Sequence, residues 1–254
     1  MSIINYYDKI DKQFTRKPKR DKNFSKHLIE PCIMISCIGS NGSGKTNSLV
    51  NFLSLKNDAF HKIIIFSAST LDEPLYSFLG SKIQELEMYS NIDDLPSLDT
   101  YDDDDKGHEK LIVFDDFINL KKKEMTKINE FLTSGSKFGF TCFVMAQNYT
   151  SIPKIISRNS HYFIVFRLGD NTSINNIIRN HNTTDMKKDD FKQEYLKATE
   201  NKGDFFLIDL KKPARPLRKN FTEILYFSNF IPSFSVARNP FLICFSLKFI
   251  LIYH

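Results

Sequence analysis

Gly39-Ser40-Asn41-Gly42-Ser43-Gly44-Lys45-Thr46 spells G-x-x-x-x-G-K-T, the phosphate-binding P-loop pattern. The glycines let backbone N–H groups turn inward around phosphate oxygens. The helix expected to start near Lys45 adds the positive end of its dipole. Lys45 is placed to reach the β- and γ-phosphates of a nucleotide, and Thr46 to offer its hydroxyl to Mg²⁺. The second chemical signal is Leu111-Ile112-Val113-Phe114-Asp115-Asp116, an apolar run that ends in two acids. Downstream of a P-loop, Asp115 is placed to hold the metal, directly or through water, and Asp116 to orient or deprotonate an attacking water. A third apolar run, Phe138 to Ala146, ends at Gln147-Asn148. Gln147 there is either a sensor of the γ-phosphate and its water or an ordinary strand-end amide.

These residues need elements to hold them. Ile33 to Ile38 reads as the strand that feeds the P-loop, and Asn47 to Leu53 as the helix that follows it. His61 to Ser67 and Tyr162 to Arg167 are further short apolar runs suited to buried parallel strands, and Phe205 to Leu210 is a late strand. Pro74 to Met88 is expected as a helix, from Leu75, Phe78, Leu79, Ile83 and Leu86 near helical spacing, and Lys121 to Leu132 as another. Residues 170–184 and 187–197 are expected as surface helices. The aspartates between Asp93 and Asp105 read as a solvated loop, since neighbouring like charges resist packing. Strands alternating with helices imply an α/β domain with a mainly parallel central sheet flanked by helices, its ligand at the carboxyl ends of the strands.

The chain has 254 residues, 41% of them apolar, enough for one α/β domain with decoration. A net charge of +5 permits nucleic-acid binding without arguing for it. Cys32, Cys37, Cys142 and Cys244 show neither metal spacing nor a disulfide framework and read as buried thiols of a reducing compartment. No signal peptide is expected at the N-terminus, and no uninterrupted apolar run reaches membrane length. The expected organisation is a basic arm over 1–29, a P-loop domain over 30–222 and an apolar tail over 223–254. Lys121 to Lys123 and the basic cluster Lys211 to Lys219 are candidate contacts to a phosphate backbone.

The order of G-S-N-G-S-G-K-T, L-I-V-F-D-D-F, F-V-M-A-Q-N-Y, I-P-K-I-I-S-R-N-S and F-F-L-I-D-L resembles the poxvirus-type genome-packaging ATPases of large DNA viruses and virophages, within the FtsK–HerA superfamily. The resemblance covers residues 30 to 222 and implies the additional-strand, RecA/FtsK-like P-loop fold. It also implies an ATP- and Mg²⁺-dependent homo-oligomeric ring, pentamer or hexamer, that drives double-stranded DNA into a capsid and works with capsid proteins. Its setting would be the host-cell cytoplasm or viral factory, with virion association open. By the same resemblance Gln147 is a sensor, and Arg158 is a finger toward a neighbour's γ-phosphate, set against the alternative of a plain surface arginine. Two positions depart from the family pattern. Thr133-Ser134-Gly135-Ser136-Lys137 stands where T-R-G-R-H is usual, and Asp116 stands where Glu is common. A nucleotide kinase is disfavoured for want of an arginine-rich lid, and a GTPase-like switch for want of N-K-x-D. A packaging subunit with a vestigial ATP site remains the third alternative, kept by those serines.

Overall fold

A computed structural model describes residues 4–11, 18–56, 58–68, 71–101, 108–117, 120–182, 186–211 and 217–225. Its centre is a nine-stranded sheet. The strands are β1 (Met34–Ile38), β2 (Phe60–Ser67), β3 (Leu86–Tyr89), β4 (Glu109–Asp115), β5 (Phe140–Ala146), β6 (Tyr162–Val165), β7 (Phe206–Asp209), β8 (Leu217–Lys219) and β9 (Glu223–Ile224). They lie in the order β3-β2-β4-β5-β1-β6-β7-β8-β9. The first six in that order run parallel, and β7, β8 and β9 join antiparallel. The sheet is thus mainly parallel, as expected. The near-continuous apolar runs of β1, β4 and β5 are the signature of strands covered on both faces, and β5 is buried at every residue.

Two cores flank the sheet. One face packs Ile64, Phe66, Ile112, Phe114 and Val144 against α4 (Lys122–Ser134), α6 (Asn171–His181) and α7 (Lys188–Ala198). The other packs Cys37, Ile65, Val113 and Met145 against α2 (Lys45–Lys56) and α3 (Pro74–Lys82). Two short helices, α1 (Phe24–His27) and α5 (Lys154–Asn159), complete the set. Helices α6 and α7 bury Ile174, Ile177, Ile178, Phe191 and Tyr195, so only their outer faces are surface.

Two expectations change. The helix read over 74–88 ends at Lys82, where Ile83 turns extended (φ −115°, ψ 116°), and Leu86–Tyr89 pairs with β2 as an edge strand. A half-buried edge strand has no apolar alternation strong enough to overrule the helical spacing that runs into it. Residues 18–29, expected within a basic arm, are partly packed: Lys19, Arg20, Lys22 and Lys26 are exposed, whereas His27 and Pro18 are buried, and Arg20 holds Glu30 through two bonds of 2.8 and 2.7 Å. Charge composition suggested solvent there, whereas each charge that faces inward has an opposite partner. Asp105 and Cys244 lie outside the described residues, as do 226–254 of the expected tail. Cys37 and Cys142 are buried free thiols whose pKa burial pushes up to about 12, and Cys32 is free and half-buried. Among the described residues no helix is long and apolar enough to cross a membrane.

Candidate nucleotide site

The loop from Gly39 to Gly44 leaves β1 and enters α2 directly, so the strand–loop–helix context holds. Gly39 N–H donates to Ala146 O (3.0 Å), tying the loop to the end of β5. A Cβ at Gly39 would collide with Ser43 Oγ and stand 2.9 Å from Phe166 Cβ. Gly44 takes φ +110°, which side chains rarely adopt, and a Cβ there would meet Phe166 Cε1 at 3.3 Å. Phe166, buried at the end of β6, therefore props the loop from below. Among the described residues the N–H groups of Gly42, Gly44, Lys45 and Thr46 donate to no carbonyl. A helix start leaves such donors open by construction. Lys45 Nζ folds back on the loop, donating to Gly39 O (2.8 Å) and Ser40 O (3.2 Å). Ser43 Oγ is buried without a hydrogen-bond partner, and the Thr46 hydroxyl bonds to nothing among the described residues. These open donors and hydroxyls, gathered round one ammonium group, fit a polyphosphate.

The acids lie on β4, which β5 separates from β1. Register aligns Cys37 with Met145 across β1 and β5, and Phe114 with Val144 across β4 and β5. Asp115 therefore shares a row with Met145 and Cys37, about 10 Å from β1 at ~4.8 Å per strand. Met145 and Cys37 belong to the core on the α2–α3 side, so Asp115 faces the P-loop helix. Burial raises its carboxyl pKa; a hydrogen bond from Tyr76 and the charge of Lys45 pull it back down, while Asp116 pushes it up. Asp116 follows at once, half-buried, with φ +49° in the left-handed region. Among the described residues no three His, Cys, Asp or Glu gather as a metal cage. That fits Mg²⁺, which is commonly held by one or two side chains plus substrate phosphates. Gln147 sits exposed just past the end of β5, between the loop and the acids.

Arg158 is not part of this cluster. It ends α5, which precedes β6, and so lies at the amino end of the parallel strands. The five residues of β1 alone put it on the order of 16 Å from its own phosphate loop. It is exposed, has no ion-pair partner among the described residues, and lines a cavity of about 440 Å³ with Thr133, Ser136 and His161. The Ser134–Lys137 turn and Arg158 are therefore neighbours.

The two basic candidates separate. Lys121, Lys122 and Lys123 are exposed at the start of α4, near the carboxyl end of β4. In the cluster 211–219, Arg218 is buried against Asp209 (2.5 Å) and also donates to His27 O and Phe221 O, and Lys219 pairs with Asp204 (2.9 Å). The charge of Arg218 is enclosed in the fold, that of Lys219 is paired at a partly exposed site, and Lys211 is exposed. Lys212 and Arg215 lie outside the described residues.

Sequence reading missed Tyr76, Ser67, Phe166 and the loop 199–204. That loop faces residues 40–43 across a cavity of about 330 Å³. Gly203 Cα stands 3.4 Å from where a Cβ on Gly44 would lie. Its turn is organised by Asp204, which accepts from Asn201 (3.1 Å) and Asn220 (2.9 Å). No sequence pattern marks these positions, since their roles come from distant segments meeting.

A parallel sheet with the phosphate loop and the acids one strand apart defines the α/β P-loop nucleotide-binding class. The family model described as Poxvirus A32 protein matches residues 20–208, and the chain belongs to that family. Among solved structures, the fold is similar to B204, the DNA-packaging ATPase from Sulfolobus turreted icosahedral virus. That match has a TM-score of 0.52 at 14% identity, covering 76% of this chain and 98% of that one. The genome packaging NTPase B204 from Sulfolobus turreted icosahedral virus 2 matches in its AMPPCP complex with a TM-score of 0.53 at 12% identity, covering 76% and 98%. Its sulfate complex matches with 0.54 at 14%, covering 78% and 100%. No curated protein sequence matches the chain.

Proposed function

We propose that the chain is the ATP-hydrolysing motor of a viral genome-packaging machine, acting as a homo-oligomeric ring on double-stranded DNA. The observation that carries this reading is the phosphate loop with Lys45 standing one strand away from Asp115 and Asp116, in a member of the poxvirus A32 family. Gly39 to Thr46 wrap the phosphates, and Lys45 swings from its two carbonyls to the β- and γ-oxygens. The cavity beside residues 40–43 receives the nucleoside end. Thr46 and Asp115 would hold Mg²⁺, which would supply neutralisation of phosphate charge. Asp116 takes the proton of the attacking water, and Gln147 reports the loss of the γ-phosphate. Arg158, too far from its own loop, serves the nucleotide of an adjacent copy in a ring of five or six, where such a charge is worth ~10³-fold or more in rate. Lys121 to Lys123 meet the DNA backbone without reading its sequence.

One observation favours a slower motor. The 133–137 turn lacks arginines, and Lys137 and Arg158 are exposed cations of that face. The deciding experiment is the ATPase rate of the purified protein with and without double-stranded DNA, alongside native mass by light scattering. A ring whose turnover rises with DNA supports the motor. A Lys45-dependent ATPase that ignores DNA in every oligomeric state would sink it.

A further inference from the structure

Tyr76 lies on α3, 1% exposed, and its hydroxyl donates to Asp115 Oδ2 at 2.7 Å. Among the side chains of the described residues, Tyr76 is the one that hydrogen-bonds Asp115. Ser67 ends β2 and pairs in register with Asp115. Paired residues of a parallel ladder point to the same face, so its hydroxyl lies on the α2–α3 side with the carboxylate. That hydroxyl is buried, 1% exposed, and has no hydrogen-bond partner. A buried hydroxyl left open is costly in a folded protein, so an open one beside a metal-binding carboxylate calls for a partner that arrives later. Tyrosine in a purely apolar role would not need its oxygen here, and phenylalanine fills the equivalent volume at many sites of this core.

We propose that Tyr76 and Ser67 form an outer layer that fixes Asp115 for the divalent cation accompanying the nucleotide. This rests on the nucleotide reading above. Tyr76 is a positioning residue: its phenol occupies Oδ2 and leaves Oδ1 directed to the cation or its water. Ser67 stands ready to bond a water of the cation's shell. Groups that orient a metal-binding carboxylate in this way are typically worth 10–100-fold in metal affinity or activity. Helix α3 thereby becomes part of the site although it carries no residue that touches phosphate.

The test measures Mn²⁺ affinity of the ATPγS-loaded protein by electron paramagnetic resonance, and ATPγS affinity in EDTA by fluorescence. Tyr76→Phe, which keeps the ring, should weaken Mn²⁺ binding about tenfold and leave nucleotide affinity in EDTA unchanged. In turnover it should lower kcat with little change in KM for ATP. Ser67→Ala, which only removes an unbonded oxygen, should weaken Mn²⁺ binding by a smaller factor and serves as the deciding variant if Tyr76→Phe does not fold. A loss in Tyr76→Phe alone keeps Tyr76 and removes Ser67 from the layer. Wild-type Mn²⁺ affinity in both variants, or tighter binding in Tyr76→Phe, overturns the proposal. If the unaltered protein binds ATPγS without any Lys45 dependence, the nucleotide reading has failed instead, and the two failures are told apart.

Discussion

The two ends of the parallel strands handle polar groups in opposite ways. At the carboxyl ends, Ser43 and Ser67 hold buried oxygens with no partner, and Lys45 rests on two carbonyls and on no carboxylate. At the amino ends, charge is buried in ion pairs, although Asp21 Oδ2 and Arg218 Nε make no hydrogen bond among the described residues. Lys56, fully buried at the end of α2, meets Glu109 at 2.7 Å and Asp21 at 3.6 Å. Glu109 also accepts from Thr141. His27 accepts from Ile29 N–H (2.9 Å) at Nδ1, which leaves its Nε2–H to donate to Asp21 (3.0 Å). Arg218 closes on Asp209. A group left open at one end is a place for a ligand, and a group closed at the other is a fastening. The contrast separates function from stability along a single set of strands.

The sharpest break of that contrast is Lys45→Ala. It should abolish nucleotide binding or turnover while the melting temperature stays within a few degrees, checked by ATPγS titration and calorimetry. Next, Asp116→Asn should keep ATP binding and lower hydrolysis by about 10²–10⁴-fold, the usual worth of a positioned base; hydrolysis at the parent rate would remove Asp116 from that role. At the other end the effect should fall on folding. Glu109→Ala leaves Lys56 buried without its main partner and should cost about 3–5 kcal/mol in denaturant unfolding, with nucleotide affinity of the folded fraction unchanged. The smallest effect concerns pH. His181 is buried, accepts from the Tyr149 hydroxyl at 2.8 Å, and has its pKa lowered by burial to about 4. The unfolded chain then binds a proton that the folded one refuses, so this contribution is whole above about pH 6.5 and is lost as pH falls toward 4. Between those values the parent protein should lose up to about 3 kcal/mol more than His181→Asn, which cannot titrate.

Much of the nucleotide end was legible because its chemistry is written in contiguous residues. Gly39 to Thr46 and Leu111 to Asp116 each carry their own strand, turn and ligand types, and alternating strands and helices implied the parallel sheet. Periodicity misjudged β3, since Leu86 continues the apolar spacing of α3 although its backbone is already extended. It also had no means to find Tyr76: the phenol is one more aromatic residue in a helix until tertiary folding carries it to Asp115. Residues 18–29 read as solvated because charge in a sequence does not reveal its partners. Lys56 and Glu109 meet across 53 positions. The distance of Arg158 from its own phosphate loop was equally hidden, because it follows from β6 running parallel to β1.

Strand β5 has a mechanical consequence. Its seven residues, buried throughout and laddered to β1 and β4 on both sides, span about 23 Å. One tip carries Gln147 near the phosphate loop, and the other begins at the Ser136–Gly139 bend, by the cavity that Arg158 lines. Extended backbone held by two ladders neither stretches nor compresses easily. A shift at the first tip would arrive at the second as a stiff push along its length.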